Sequence, residues 1–83
     1  MLKLRSPLAR KGYKIYQKQL KSILEPEHLG EYVAIEVDSG DYFLGHDLYD
    51  ALELAEKKHP EKEFFVLKVG ELAVASFKHH YSI

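Results

Sequence analysis

The sequence contains no cysteine, no long apolar run and no glycine-rich phosphate loop. Without cysteine the chain forms no disulfide and carries no thiolate chemistry, which fits a reducing compartment. No apolar run approaches the roughly 20 residues that span a bilayer, and residues 1–7 are too short and too polar for the apolar region of a signal peptide. These absences predict a soluble cytoplasmic protein that does not associate with a membrane.

The chain has 83 residues, which is the length of one small domain. A domain of this size buries only about two-thirds of the surface that its unfolded chain exposes, so its own core stabilises it only modestly. Small domains often gain stability by pairing with a copy of themselves or with a partner. The length therefore predicts a homo-oligomer or a complex with another protein.

The net charge of −1 conceals a strong asymmetry along the chain. Residues 1–22 contain seven basic residues and no acidic one, whereas residues 23–83 contain five basic and 13 acidic residues. The two parts therefore carry formal charges of +7 and −8. A basic N-terminal segment on an acidic body is typical of a protein that binds an anionic partner.

Residues 9–24 have the periodicity of a helix, with apolar positions three and four residues apart and lysines on the opposite side. The predicted apolar face comprises Tyr13, Tyr16, Leu20, Ile23 and Leu24. Because the residue before a proline disfavours helical geometry, we expect this helix to end at Glu25, before Pro26. Residues 1–8 then form a flexible basic arm, and residues 9–83 form a single α+β domain.

The remaining chain predicts two hairpins separated by a helix. Alternating β-branched and aromatic residues indicate strands at residues 32–37, 41–44, 63–69 and 72–77. Asp38-Ser39-Gly40 has the composition of a hairpin turn. Asp47 can cap the second helix, and Pro60 stops it.

The predicted fold class is therefore α+β: an N-terminal helix followed by ββαββ, with a four-stranded, mostly antiparallel sheet in the order 2-1-3-4. The second helix is packed on one face of the sheet. The other face is left to the N-terminal helix or to another subunit.

From residue 30 the chain reads Gly30-Glu31-Tyr32-Val33-Ala34-Ile35, then a turn containing Gly40, a return strand ending at Gly45, a helix at Leu48–Lys57 and a strand at Phe64–Val69. This pattern resembles a family of small prokaryotic domains of unknown function. The resemblance extends over about residues 13–77. It implies an antitoxin-like or accessory protein with no established catalytic residues. The strand at residues 72–77 and the long basic N-terminal segment are departures from the shorter members.

The lysine face of the N-terminal helix is the leading functional candidate. Lysines along one helix face can follow the phosphates of a nucleic acid and release its counterions, although a solvated helix face or a surface for an acidic protein gives the same pattern. The sequence shows no helix-turn-helix or aromatic RNA-binding signature, so contact with the nucleic-acid backbone is expected. The candidate binding residues are Arg5, Arg10, Lys11, Lys14, Lys18 and Lys21.

Residues with catalytic or metal-binding potential have simpler structural interpretations. Asp38-Ser39-Gly40 matches the triplet of aspartic proteases, but Asp41 follows where a small apolar residue is usual, so we interpret the triplet as a turn. No histidine pair has metal-ligand spacing. Glu36 alternates with the buried residues of its strand and is expected to face solvent. We therefore predict no catalytic residues, no metal site and no cofactor.

Two functions follow from these features. The first is a small non-catalytic interaction module, an antitoxin-like or accessory subunit that binds a protein partner through its acidic body or an exposed sheet face. The second is a nucleic-acid-binding protein that acts alone through the basic N-terminal helix. An enzyme is not expected, because no motif supplies a nucleophile, a base and a stabilising group together.

Overall fold

The computed structural model describes residues 7–70 and 74–78. One long helix, here called the N-terminal helix, comprises α1 (Pro7–Ile15), a π-helical segment (Tyr16–Leu20) and α2 (Lys21–His28). The elements that follow are β1 (Tyr32–Glu36), β2 (Asp41–Gly45), α3 (Leu48–Lys58), β3 (Glu63–Lys68) and β4 (Val74–Lys78). The predicted α+β class is confirmed.

The strands form an antiparallel sheet in the order β2-β1-β3-β4. The centre of the sheet is β1, which pairs Ala34 with Phe43 of β2 on one side and with Val66 of β3 on the other. The backbone of β4 pairs with the outer edge of β3, and its described part begins at Val74. Residues 1–6 of the arm predicted at residues 1–8, residues 71–73 and residues 79–83 lie outside the described residues, whereas residues 7 and 8 belong to α1 and are helical.

Both faces of the sheet are covered by helices of the same chain. On one face α3 contributes Ala51, Leu52 and Ala55, which pack with Ala34, Phe64 and Val66 of the sheet. On the other face the N-terminal helix contributes Ala9, Tyr16, Leu20 and Leu24, which pack with Val33, Ile35, Phe65, Leu67 and Val69. The sequence left this face to the N-terminal helix or to another subunit, and the N-terminal helix of the same chain covers it.

The π-helical segment keeps the N-terminal helix aligned with the sheet. Tyr16, Leu20 and Leu24 are all buried, and each follows the previous one by four residues. In a regular α-helix, which has 3.6 residues per turn, steps of four rotate the apolar positions by about 40° each. The wider turn, closed by the N–H of Lys21 donating to the carbonyl of Tyr16, absorbs this excess and keeps the three side chains on the sheet.

The ends of the N-terminal helix differ from the sequence-based prediction. The helix begins at Pro7 rather than at residue 9, a favourable place for proline because an N-terminal N–H has no helical partner. It continues through Pro26 to His28, so the predicted stop at Glu25 is wrong. Ile23, which was predicted to be on the apolar face, has 58% of its surface exposed, because the widened turn rotates it away from the sheet.

The sequence correctly predicted the two ends of α3, because the residues that cap and stop a helix act on their immediate neighbours. The side chain of Asp47 accepts a hydrogen bond of 2.9 Å from the backbone N–H of Asp50 and caps the helix, as predicted. The helix ends at Lys58, two residues before Pro60. The cap residue His59 donates its backbone N–H to the carbonyl of Ala55 and leaves its imidazole beside the sheet.

Candidate functional site

Three of the predicted basic residues converge on one groove. Lys11, Lys14 and Lys18 are exposed side chains of the N-terminal helix, and they line a groove of about 340 Å³. The other wall of the groove is formed by Val37 and Asp38 from the turn between β1 and β2, and Ile15 and Gln19 complete the lining. We call this site the lysine groove. Its position follows from the packing of the N-terminal helix across the sheet, which brings the helix next to the β1–β2 turn.

Among the described residues, three lysines and one aspartate line the lysine groove, so its lining is positively charged. Within residues 7–70, Lys11, Lys14 and Lys18 form no ion pair and no hydrogen bond through their side chains. The helix contributes no acidic residue before Glu25. Three unpaired ammonium groups around a shallow groove create a local positive potential that attracts anions.

The other predicted basic residues are separated from the groove or not described. Lys21 lines a different groove, together with Pro26 and Leu29, so the structure divides the lysine face that the sequence presents as continuous. Arg10 is exposed on α1 but does not line the lysine groove. Arg5 lies outside the described residues.

One acidic residue, Asp38, lines the groove in the described part of the chain. Its carboxylate is exposed and forms an ion pair of 3.4 Å with Lys62, which follows α3. The turn that carries it is a tight connection in which Gly40 has a φ of +80° and donates its N–H to the carbonyl of Glu36. The interpretation of Asp38-Ser39-Gly40 as a hairpin turn is therefore confirmed.

Glu36 anchors this turn from inside the protein. It is 2% exposed, and its carboxylate oxygens accept the backbone N–H groups of Asp38 (3.2 Å) and Ser39 (3.0 Å). The expectation that Glu36 faces solvent is wrong. Its side chain lies on the same face of β1 as Ala34, toward α3, and the C-terminal end of that helix covers it.

His59 connects Glu36 to the neighbouring strand. Its Nε2 is 2.8 Å from a carboxylate oxygen of Asp41, and its Nδ1 is 4.0 Å from Glu36. Phe43 packs edge-on against the imidazole ring, with 6.1 Å between ring centroids. The hydrogen bond from His59, together with the positive charge of Lys58, lowers the pKa of Asp41 below its usual value of 3.8.

The Glu36–His59–Asp41 cluster was not found from the sequence. Its members are 5 and 18 residues apart along the chain, and no local pattern connects them. One feature of the sequence pointed to the position of Glu36. Alternate residues of a strand share a face, so Glu36 lies on the same face of β1 as Tyr32 and Ala34 and is buried if a helix covers that face. The cluster joins the β1–β2 turn to the end of α3, and it thereby fixes one wall of the lysine groove.

A buried tyrosine in the middle of the N-terminal helix connects it to the residues that follow β3. Tyr16 donates a hydrogen bond of 2.8 Å to the carboxylate of Glu25 and accepts one of 3.3 Å from the backbone N–H of Gly70. Burial, reinforced by the hydrogen bond to Glu25, raises the pKa of Tyr16 to about 12. These contacts connect the π-helical segment with α2 and with the end of β3.

Comparison with known proteins gives no relative from which a function could be transferred. No protein-family model, curated protein or solved structure matches this chain. The resemblance at residues 30–57 is therefore not supported by a family match. In the described part of the chain, no three His, Cys, Asp or Glu side chains are grouped to hold a metal ion. None of the described helices is both long enough and apolar enough to cross a bilayer.

Proposed function

We propose that this protein is a binding module that contacts the phosphates of a nucleic acid through the lysine groove. The observation that carries the proposal is the convergence of Lys11, Lys14 and Lys18, all exposed and unpaired within residues 7–70, on one side of a groove. Each phosphate that an ammonium group neutralises releases condensed counterions, and this release favours binding.

The composition of the groove supports contact with the backbone rather than with the bases. Lysine is a point charge on a flexible stem and contacts phosphate without a fixed orientation. Specific contacts to base edges come chiefly from Arg, Asn and Gln, and among the described residues that line the groove Gln19 alone is of these types. We therefore expect similar affinities for unrelated sequences.

The test is a fluorescence-anisotropy titration of labelled DNA duplexes of two unrelated sequences at several salt concentrations. Three phosphate contacts predict a slope of about −2.7 in a plot of log affinity against log salt concentration. Lys14→Gln should weaken binding to both duplexes equally and reduce the steepness of the slope by about 1.

Lys57→Gln is the matched control, because Lys57 is an exposed lysine on α3, across the sheet from the N-terminal helix. It should leave both the affinity and the slope nearly unchanged. An affinity that does not depend on salt, or an equal loss in both lysine variants, would contradict the proposal. The titration is then repeated with an acidic polypeptide in place of DNA. Tighter binding of the polypeptide than of DNA would indicate that the ligand of the groove is an acidic protein.

A second candidate function is an antitoxin-like or accessory subunit that binds a protein partner. It is favoured by the outer face of α3, where Tyr49 is 73% exposed and Leu54 is 48% exposed beside the acidic residues Asp50 and Glu53. Exposed tyrosine and leucine side chains provide the apolar area on which protein interfaces depend. This surface belongs to the acidic body, across the sheet from the lysine groove.

The second candidate is tested by affinity capture from the native host after nuclease treatment, with mass spectrometry to identify stoichiometric partners. A partner that is captured by the parent protein and by Lys14→Gln, but lost in the variant Tyr49→Ser/Leu54→Ser, would establish this function. If no stoichiometric partner survives nuclease treatment, the second candidate fails.

A further inference from the structure

An exposed aromatic side chain lies on the edge strand β2, on the face of the sheet that the N-terminal helix covers elsewhere. Tyr42 of β2 is paired with Ile35 of β1, and directly paired residues of antiparallel strands project from the same face of a sheet. Ile35 is buried under the N-terminal helix, whereas Tyr42 is 39% exposed. The difference arises because α1 packs on β3 and β4, at the opposite side of the sheet from β2.

The exposed tyrosine lies beside the lysine groove. Val37, which lines the groove, follows Ile35 by two residues and packs against the same core cluster. Neighbouring strands are about 4.8 Å apart and two residues along a strand span about 6.6 Å, so the backbone of Tyr42 lies roughly 8 Å from that of Val37. The helix side of the groove carries Lys11, Lys14 and Lys18. A row of lysines and an exposed aromatic ring therefore adjoin at the β1–β2 turn.

A second cleft extends from Tyr42 away from the lysine groove. It has a volume of about 290 Å³ and is lined by Tyr42, by Lys58 at the end of α3, and by Gly40, Asp41 and Phe43. Lys58 is exposed and forms no ion pair within the described residues. The carboxylate of Asp41 in this cleft is held by His59, at 2.8 Å. Lysine side chains therefore lie on both sides of Tyr42.

We propose that the lysine groove, Tyr42 and Lys58 together bind single-stranded nucleic acid, with one base stacked on the ring of Tyr42 and the flanking phosphates held by lysines on either side. The bases of a duplex are stacked on one another, whereas an unpaired base can turn its face to an aromatic side chain. Proteins that bind single strands without sequence preference combine a basic groove with such aromatic rings. The inference rests on the proposed phosphate binding and adds the form of the nucleic acid.

The test compares two labelled DNA strands of about ten nucleotides by fluorescence anisotropy, one of thymidines and one of abasic sugar phosphates. Both strands carry the same phosphates, but the abasic strand has no base to stack. The full chain should bind the thymidine strand about 5- to 150-fold more tightly, the range that stacking of one base on an aromatic ring supplies. A uridine RNA strand of the same length, measured in parallel, shows which of the two kinds of single strand the protein prefers.

Variants assign the preference for bases to Tyr42. Tyr42→Ala should bind the thymidine strand only as tightly as the abasic strand, and Tyr42→Trp should keep the preference because it keeps an aromatic face. Tyr49→Ala, at an exposed tyrosine of α3, is the matched control and should leave both affinities unchanged. Circular dichroism confirms that each variant is folded, and the comparison of the two strands in the parent protein needs no variant.

A lysine variant tests the far side of the path. Lys58→Gln should weaken binding to both strands and make the plot of log affinity against log salt concentration less steep by about 0.7, the effect of one phosphate contact on a single strand. Lys57→Gln, at the preceding exposed lysine of α3, does not change the lining of the cleft and should have little effect.

A parent protein that binds the abasic strand as tightly as the thymidine strand would overturn the inference. So would a preference for the thymidine strand that persists unchanged in Tyr42→Ala, since the base would then stack elsewhere. Lys14→Gln separates these failures from failure of the proposed function. If it weakens binding to both strands while the bases make no difference, the lysine groove binds phosphates without Tyr42. If it binds both strands as tightly as the parent protein does, the proposed function fails together with the inference.

Discussion

Gly12 of the N-terminal helix lies directly against the ring of Phe65 at the centre of β3. A β-carbon built on Gly12 would lie 2.3 Å from Cγ and 2.4 Å from Cβ of Phe65, a separation that no real structure tolerates. Phe65 is completely buried, and the contact atoms are at the base of its side chain rather than at its flexible end. The absence of a side chain at Gly12 therefore sets how closely the helix approaches the sheet.

We expect Gly12→Ala to destabilise the protein, although alanine favours a helix over glycine by about 1 kcal/mol. Overpacking against the buried Phe65 ring costs about 1–3 kcal/mol and exceeds this gain. Urea unfolding of the parent, Gly12→Ala, Phe65→Ala and the double variant measures the coupling between the two positions, because alanine at position 65 removes Cγ and the ring. If alanine at position 12 costs the same free energy in the Phe65→Ala background, contact with these atoms is not the cause.

Replacing the buried carboxylate of Glu36 should loosen the β1–β2 turn. Glu36→Gln removes the charge from two charge-assisted hydrogen bonds to the backbone N–H groups of Asp38 and Ser39, and we expect it to lower the free energy of unfolding by about 1–3 kcal/mol. Urea unfolding provides the measurement. Glu53→Gln, on the exposed face of α3, should change stability by less than about 0.5 kcal/mol. Equal effects of the two changes would show that burial of Glu36 is unimportant.

The hydrogen bond between Asp41 and His59 predicts a loss of stability in acid. The pKa of Asp41 is lower in the folded protein than its usual 3.8, so the bond stabilises the fold above that pH. The stabilisation disappears as the pH falls through the lowered pKa, because the Asp41 carboxylate is then protonated in the folded protein as well as in the unfolded chain. Asp41→Asn should therefore be less stable than the parent protein near neutral pH, and the difference should shrink in strong acid.

The same comparison in a His59→Gln background is the control for this acid effect. His59 is the main cause of the lowered pKa, so Asp41→Asn should then have little effect at either pH. Urea unfolding at the two pH values gives both differences. A loss that is the same at neutral and acidic pH would point to packing rather than to the charge of Asp41.

Tyr16 predicts a loss of stability in alkali. Its pKa rises from 10.0 to about 12 on folding, so the folded protein holds the neutral phenol more strongly than the unfolded chain does. The resulting stabilisation is complete below pH 10 and is lost as the pH rises through about 12, with a total of up to about 3 kcal/mol. Unfolding measured at about pH 9 and about pH 11.5 should show a steeper decline in the parent than in Tyr16→Phe.

Tyr16→Phe also has a cost at neutral pH. It leaves Glu25 without its hydrogen bond, and we expect a loss of about 0.5–1.5 kcal/mol there. The other tyrosines are the same in both proteins, so the difference between the two proteins isolates Tyr16. Parallel declines in alkali would mean that Tyr16 ionises as readily in the folded protein as in the unfolded chain.

Asp38 gives a prediction that rests on the proposed binding of phosphates. Its carboxylate lines the lysine groove and would repel a phosphate bound there, so Asp38→Asn should increase the affinity for DNA about two- to fivefold, the effect of roughly 0.4–1 kcal/mol. Fluorescence anisotropy at fixed salt measures the change. Glu53→Gln removes the same charge from the α3 face and should leave the affinity nearly unaltered, whereas an equal gain in both variants would indicate an effect of net charge alone.

The parts of the fold that follow from neighbouring residues could be predicted from the sequence. The α+β class, the turn at Asp38-Ser39-Gly40 and the capping of α3 by Asp47 all depend on hydrogen bonds and conformational preferences within a few residues. The sequence did not predict that the N-terminal helix would pass through Pro26. Proline has no backbone N–H, so one helical hydrogen bond is missing at Pro26. The burial of Leu24 and the hydrogen bond from Tyr16 to Glu25 compensate for this loss and keep the chain helical as far as His28.

The candidate site could be predicted only in part, for a related reason. The sequence determined that lysines recur on one side of the N-terminal helix, because helical periodicity is a local property. Only the tertiary structure decided that Lys11, Lys14 and Lys18 face the β1–β2 turn while Lys21 lines another groove, because the π-helical segment and the packing on the sheet set the rotation of each turn. The burial of Glu36 was likewise decided by His59, which is 23 residues further along the chain and becomes its neighbour only when α3 packs on the sheet.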